Sequence, residues 1–329
     1  FIADGWLQNG TILAGPGLII SSTRLLDTTV QGALTVTPDY DSLVISEGVT
    51  FTGASGSGPG IIQVSGQSDT VTFQNANLYP SDGQIFDNGT IIVGNRTIAD
   101  TVAPNFFGGT FTLGPNAEVL SNTANALAGF AVGMGTTVDI QGTIAAMAPA
   151  GTFIVSGQAP GYFGSTLYND GTLLAGNGGT LRLTTDIAAD ANTGIIEVAS
   201  GGTFEIGGTA GLTASVAANQ TVDFVGSGGV LKLDQPASFA AAISGFAAGD
   251  TIDLGGITAT SAVWSSGTLT VENAGSPGAM LALAGDYSGN VFQLHSDGSG
   301  GMSDALVRED ADLACATSGR REHPVFALW

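Results

Sequence analysis

The chain has 329 residues, of which 43% are hydrophobic and 11% charged, with 28 acidic side chains against 7 basic ones. So apolar a composition excludes a disordered polymer, and the lack of any basic stripe to neutralise phosphates excludes nucleic-acid binding. No run approaches the ~18 uninterrupted apolar residues of a membrane-spanning helix, and the single cysteine, Cys315, excludes an intrachain disulfide framework.

The first pattern along the chain is Asn9-Gly10-Thr11-Ile12-Leu13-Ala14-Gly15, which returns as Asn88-Gly89-Thr90-Ile91-Ile92-Val93-Gly94 and Asp170-Gly171-Thr172-Leu173-Leu174-Ala175-Gly176. A shorter phrase, Gly-Thr-apolar-x-apolar, follows at Gly109, Gly179, Gly202 and Gly267, with relatives at Gly229 and Asp250. Side chains alternate between the two faces of a strand. Phe111, Leu181, Phe204 and Leu231 are therefore expected inward, and Arg182, Glu205, Lys232 and Asp253 outward toward water. Gly and Asn suit the corners between strands because they tolerate positive φ.

Spacing gives the architecture. Gly89 to Gly109, Gly151 to Gly171 and Gly229 to Gly249 are each 20 residues apart. Short strands at a fixed period with no amphipathic helix between them predict an all-β fold, a right-handed parallel β-helix (β-solenoid) of about 20–25 residues per rung, in which the rest of each rung returns the chain for parallel pairing. Such a rod would hold roughly 12–15 rungs and be about 60–70 Å long. The stretches Ser55 to Gly60, Asn122 to Met134 and Pro149 to Ser165 interrupt the spacing and read either as slack connections or as loops on a binding face.

The chain divides into a solenoid body at 1–225, a C-terminal solenoid module at 226–302 and a charged tail at 303–329. The tail reads as a cap over the last rung or as an export or assembly signal. The body resembles secreted bacterial β-solenoids, the autotransporter passenger domains and filamentous-haemagglutinin-like adhesins, which carry the same Asn-Gly-Thr and Gly-Thr-Phe/Leu-x-Ile/Leu phrases. The C-terminal run Ile243-Ser244-Gly245-Phe246-Ala247-Ala248-Gly249-Asp250-Thr251-Ile252-Asp253-Leu254, with Leu283-Ala284-Gly285-Asp286-Tyr287 and Phe292-Gln293-Leu294-His295-Ser296-Asp297-Gly298, is similar to a module of large exported proteobacterial proteins. The resemblance implies export or surface display, for which a lysine-poor acidic surface and the absence of disulfides are both suited. The chain opens on Phe1 rather than Met, as a processed or truncated N-terminus would.

Chemistry-bearing residues are few. Calcium-binding nonapeptides need Gly-Gly-x-Gly-x-Asp in tandem, whereas Gly228-Gly229 is followed by Val230 and Leu231, so no metal and no cofactor is expected. His295 and His323 are the only histidines, the first before a Ser-Asp-Gly turn and the second in the tail, which leaves almost no material for a Ser-His-Asp triad. A glycan-cleaving site would need paired carboxylates, for which Asp41 and Glu47 are the first candidates, with Tyr40, Tyr79, Tyr162 and Phe163 as candidate sugar-stacking or binding residues. The expected function is a non-enzymatic structural or adhesive module, with itself or extracellular glycans as partners and end-to-end filament formation as a variant. A glycan-cleaving β-helix is the alternative.

Overall fold

A computed structural model describes residues 2–15, 18–37, 39–74, 83–94, 99–104, 109–157, 164–207, 214–296 and 302–308, with 2–4 and 302–308 described as backbone. The chain is a β-solenoid. Its only helix among the described residues is a single 3-10 turn, Pro236–Ser238.

Each coil lays down up to three short strands, and each strand stacks in parallel on its counterpart in the next coil. The first face runs through Ala33–Val36, Gly60–Val64, Gly89–Ile92, Glu118–Ser121, Thr143–Ala146, Thr172–Ala175, Ile195–Ala199, Thr221–Val225 and Ala242–Ser244. The second runs through Ser42–Ile45, Thr70–Phe73, Asp100–Pro104, Leu127–Ala131, Thr152–Ser156, Thr180–Leu183, Thr203–Ile206, Val230–Leu233 and Thr251–Leu254. The third is built from Gln84–Phe86, Thr110–Leu113, Thr137–Ile140 and Thr166–Asn169, then thins to single bridges at Ile187, Val216 and Phe239.

The alternation seen in the sequence sets the core. In register along the second face stand Leu43, Val71, Val102, Phe130, Val155, Leu183, Ile206, Leu233 and Leu254, all essentially inaccessible to water. Phe111, Leu181, Phe204 and Leu231 are inward and fully buried, as the phrase predicts. Between the early coils an aromatic column forms: Phe51 meets Phe86 at 5.3 Å, Phe86 meets Phe73 at 5.3 Å and Phe73 meets Phe111 at 4.7 Å. Ring pairs at these separations add to plain burial.

Coil length is less uniform than the phrases suggest. Ile19 follows Ile2 by 17 residues and Thr35 follows Ile19 by 16, whereas Asp69 precedes its counterpart Asp100 by 31. Coils in the expected 20–25 range occur further on, as between Leu120 and Ala145 and between Leu233 and Leu254. The 20-residue interval from Gly89 to Gly109 links the first face to the third and is not one rung. Thr90 and Thr172 lie three coil steps apart, through Glu118 and Thr143, where a 20-residue period would place four. The levels are accordingly fewer than a 20-residue period implies, and the register from Ile2 to Ser244 spans roughly 50 Å at about 4.8 Å per level.

Two other expectations change. Asn122 to Met134 and Pro149 to Ser165 are not simple insertions, since each carries a regular second-face strand, Leu127–Ala131 and Thr152–Ser156. In the Asn-Gly-Thr corners the positive φ belongs to the Asn, +56° at Asn9 and +54° at Asn88. Gly89 is there for space, because a Cβ on it would lie 2.6 Å from the Phe86 ring.

After Leu254 the pattern changes to antiparallel. Ser261–Ser265, Thr268–Asn273 and Ser276–Ala282 form a meander, so the Gly267 phrase builds a hairpin strand rather than a coil. Asn290–Ser296 pairs with Met302–Arg308, and the latter lies antiparallel on Thr251–Leu254, the edge a further coil would otherwise use. Phe246, Tyr287 and Phe292 fill the end of the core, with the Tyr287 hydroxyl donating to the Phe246 carbonyl at 3.0 Å.

Candidate functional site

The most unusual chemistry lies inside the early coils. Asp41, Asp69 and Asp100 open successive second-face strands and are 7%, 0% and 0% exposed. Each carboxylate reaches back one coil. The Asp41 backbone N–H donates to Asp69 Oδ1 at 3.0 Å, and the Asp69 N–H donates to Asp100 Oδ1 at 3.1 Å. Gly66 N–H donates to Asp69 Oδ2 at 3.0 Å and Gly94 N–H to Asp100 Oδ2 at 3.3 Å. Asp41 Oδ1 accepts from the Ser22 N–H at 2.9 Å and from the Ser21 and Ser22 hydroxyls.

These donors are neutral, and the other charges bearing on the column are acidic. Burial pushes the Asp100 carboxyl up to about 6, against the backbone N–H of Asp69 and with added repulsion from Asp69 and Asp39. Asp69 is raised in the same way, first by burial and then by Asp41 and Asp39. Sequence reading singled out Asp41 but not its two partners. The legible signal was Asp-Ser/Thr-apolar at Asp41-Ser42-Leu43, Asp69-Thr70-Val71 and Asp100-Thr101-Val102, a variant of the Gly-Thr phrase with an acid in the Gly slot.

Asp41 and Glu47 do not come together. They flank the strand Ser42–Ile45, roughly 15–20 Å apart along an extended chain, beyond the ~5–10 Å a carboxylate pair in a glycosidase spans. Glu47 is exposed and Asp41 is buried within its serine cradle. Tyr40 is 70% exposed at φ +64°, presenting its ring to solvent from the turn before Asp41. Tyr79, Tyr162 and Phe163 lie outside the described residues.

A second charged array lies on the outer side of the second face. Arg182, Glu205 and Lys232 stand in register. Glu205 Oε2 accepts from Arg182 Nε at 2.6 Å and Oε1 from Lys232 Nζ at 2.7 Å. The alternation rule places Glu205 outward, yet it is only 5% exposed, because the two longer cationic side chains fold over it. Burial alone would raise its carboxyl, but the hydrogen bonds from Lys232 and Arg182 outweigh this and hold it below the ordinary glutamate value.

Along the third-face corner, Asp139, Asp170, Asp190 and Asn192 form an open polar cluster, with Asn192 Nδ2 donating to Asp170 Oδ2 at 2.6 Å. Among the described residues no three His, Cys, Asp or Glu side chains are grouped to hold a metal ion. No helix among them is long and apolar enough to cross a membrane. No protein-family model and no curated protein matches the chain.

Proposed function

We propose that this chain is an extracellular structural and adhesive module, secreted or displayed on a bacterial surface, that acts as a stiff β-solenoid spacer. The observation that supports it is the unbroken register from Ile2 to Ser244, with an inward apolar column at every level and side chains on the outer faces that are mainly Thr, Ser and small residues. A stack of this kind transmits force along its axis through backbone hydrogen bonds, and its repeated outer faces offer extended contact surfaces. The solvent-presented Tyr40 ring is the best-placed described side chain for stacking on a sugar or another flat partner.

The glycan-cleaving alternative takes no support from Asp41 and Glu47, which stand at opposite ends of one strand. The two readings separate in one assay. The protein is incubated with insoluble cell-wall and matrix polysaccharides, and both co-sedimentation and released reducing ends are measured. The adhesive reading expects retention that weakens in Tyr40→Ala, with no reducing ends. Cleavage that disappears in Asp41→Asn or Glu47→Gln would replace it with the enzyme.

A further inference from the structure

A cavity of about 290 Å³ opens where the coils give way to antiparallel strands, between Val263 and Trp264 of the outer meander strand and the segment 287–292 that leads into the terminal hairpin. Much of its lining is aromatic. Tyr287 and Phe292 are almost wholly buried with ring centroids 6.0 Å apart, and the half-buried Trp264 ring stands edge-on to Tyr287 at 5.8 Å. Their polar atoms are engaged by the backbone: Trp264 Nε1–H donates to the Leu283 carbonyl at 3.2 Å, and the Tyr287 hydroxyl to the Phe246 carbonyl. These rings therefore offer carbon surface. The rim is polar. Gly289 turns the chain at φ +83°, Asp286 Oδ1 accepts from the Ser288 N–H and hydroxyl at 2.9 and 2.6 Å, and the exposed Ser288 and half-buried Asn290 line the cavity.

Aromatic carbon beside a hydroxyl and an amide suits a ligand with one face of C–H groups and an edge of hydroxyls, which is the chemistry of a pyranose ring. We propose that the cavity is a carbohydrate subsite for one neutral pyranose ring, packed against Trp264 with its hydroxyls toward Ser288 and Asn290. A wholly apolar ligand would remove Ser288 and Asn290 from water and leave them unpaired. An acidic sugar would meet the exposed Asp286 carboxylate on a chain of net charge −21. The volume lies at the small end of the ~300–1,000 Å³ typical of ligand sites, so the cavity takes the terminal ring of a glycan and not the interior of a chain. Such a subsite rests on the adhesive reading and gives it a sugar class, neutral and chain-terminal.

The test is calorimetric titration of the purified full chain with glucose, galactose, mannose, N-acetylglucosamine and glucuronic acid. At least one neutral sugar is expected to bind with a Kd of about a millimolar, the weak affinity of so small a ligand, and glucuronic acid is not. Val263→Trp, at an exposed site, fills the entrance and should weaken that binding about tenfold or more with no loss of melting temperature. Asn290→Ala should weaken it about fivefold, and Tyr40→Ala should leave it unchanged. No neutral sugar bound at tenfold higher concentration, tighter binding of glucuronic acid, or binding indifferent to both cavity variants would each overturn the proposal. Retention on insoluble polysaccharide is measured on the same variants. Retention that survives in Val263→Trp and is lost in Tyr40→Ala removes the cavity and leaves the adhesive reading standing, whereas no retention by the wild-type chain removes the adhesive reading and this subsite with it.

Discussion

Asp100 and Glu205 are both acids buried between stacked coils, one in the early part of the solenoid and one in the later part, and their surroundings drive them in opposite directions. Asp100 sits inside the coil, cradled by the neutral N–H groups of Asp69 and Gly94 with another carboxylate one level away, and its proton is held up to about pH 6. Glu205 sits outside the sheet between Arg182 and Lys232, and its proton is lost more readily than usual. At Asp100 the backbone donors offset only part of the cost of removing its charge from water. At Glu205 the flanking cations do offset that cost.

The largest test of this contrast places a new acid in the inward column without any donors. Leu181 stands in the same register column as Asp69 and Asp100, through Ala128 and Phe153, but inside a fully apolar level. Leu181→Asp should cost several kcal/mol in urea unfolding, on the order of 3–5, because it buries an unpaired carboxyl and leaves a void. The same change at the half-buried, outward Thr112 should stay within about 0.5 kcal/mol. Equal losses at both sites would break the assignment of inward and outward positions.

The second test uses pH. Asp100 has a raised value in the fold, so between the ordinary aspartate value of 3.8 and about 6 the folded chain binds a proton that the unfolded chain has released, and Asp69 is raised in the same direction. The Asp100 contribution is fully present below the unfolded value and is lost as pH rises through about 6. Relative stability should therefore fall between pH 4 and pH 7, by roughly 3 kcal/mol for Asp100. Glu118, raised by burial, slopes the same way, so the informative quantity is the difference between wild type and Asp100→Asn. That variant keeps an oxygen acceptor for Asp69 N–H and should flatten the slope over this window. An unchanged slope would show that the column is not what titrates.

The smallest expected effect is at the outer array. Glu205→Gln leaves Arg182 and Lys232 half-exposed and free to turn to water, so the loss should be about 1 kcal/mol or less at neutral pH and should shrink further in high salt. Because the Glu205 value is lowered in the fold, its contribution is present above the ordinary glutamate value and fades as pH falls through the lowered one. Asp100 and Glu205 thus have opposite acid responses. Parallel pH profiles for Asp100→Asn and Glu205→Gln would erase the contrast.

The fold class was determined locally. The Gly-Thr-apolar-x-apolar phrase carries period-2 alternation, and that alone fixes which of Phe111, Leu181, Phe204 and Leu231 face inward, because a strand has only two faces. Coil length was not local. Strands on different faces share the same phrase, so intervals between phrases mix faces and coils, and only stacking register distinguishes Gly89 to Gly109 from a true rung. The burial of Glu205 and the meeting of Asp41, Asp69 and Asp100 were likewise decided by tertiary structure. Those residues are separated by 23 to 31 positions in the chain, and it is the stacking of one coil on the next, at under 5 Å, that turns each of them into a neighbour of the others. The separation of Asp41 from Glu47 has the same origin in reverse, since six residues that look adjacent in sequence are held apart by the extended strand between them.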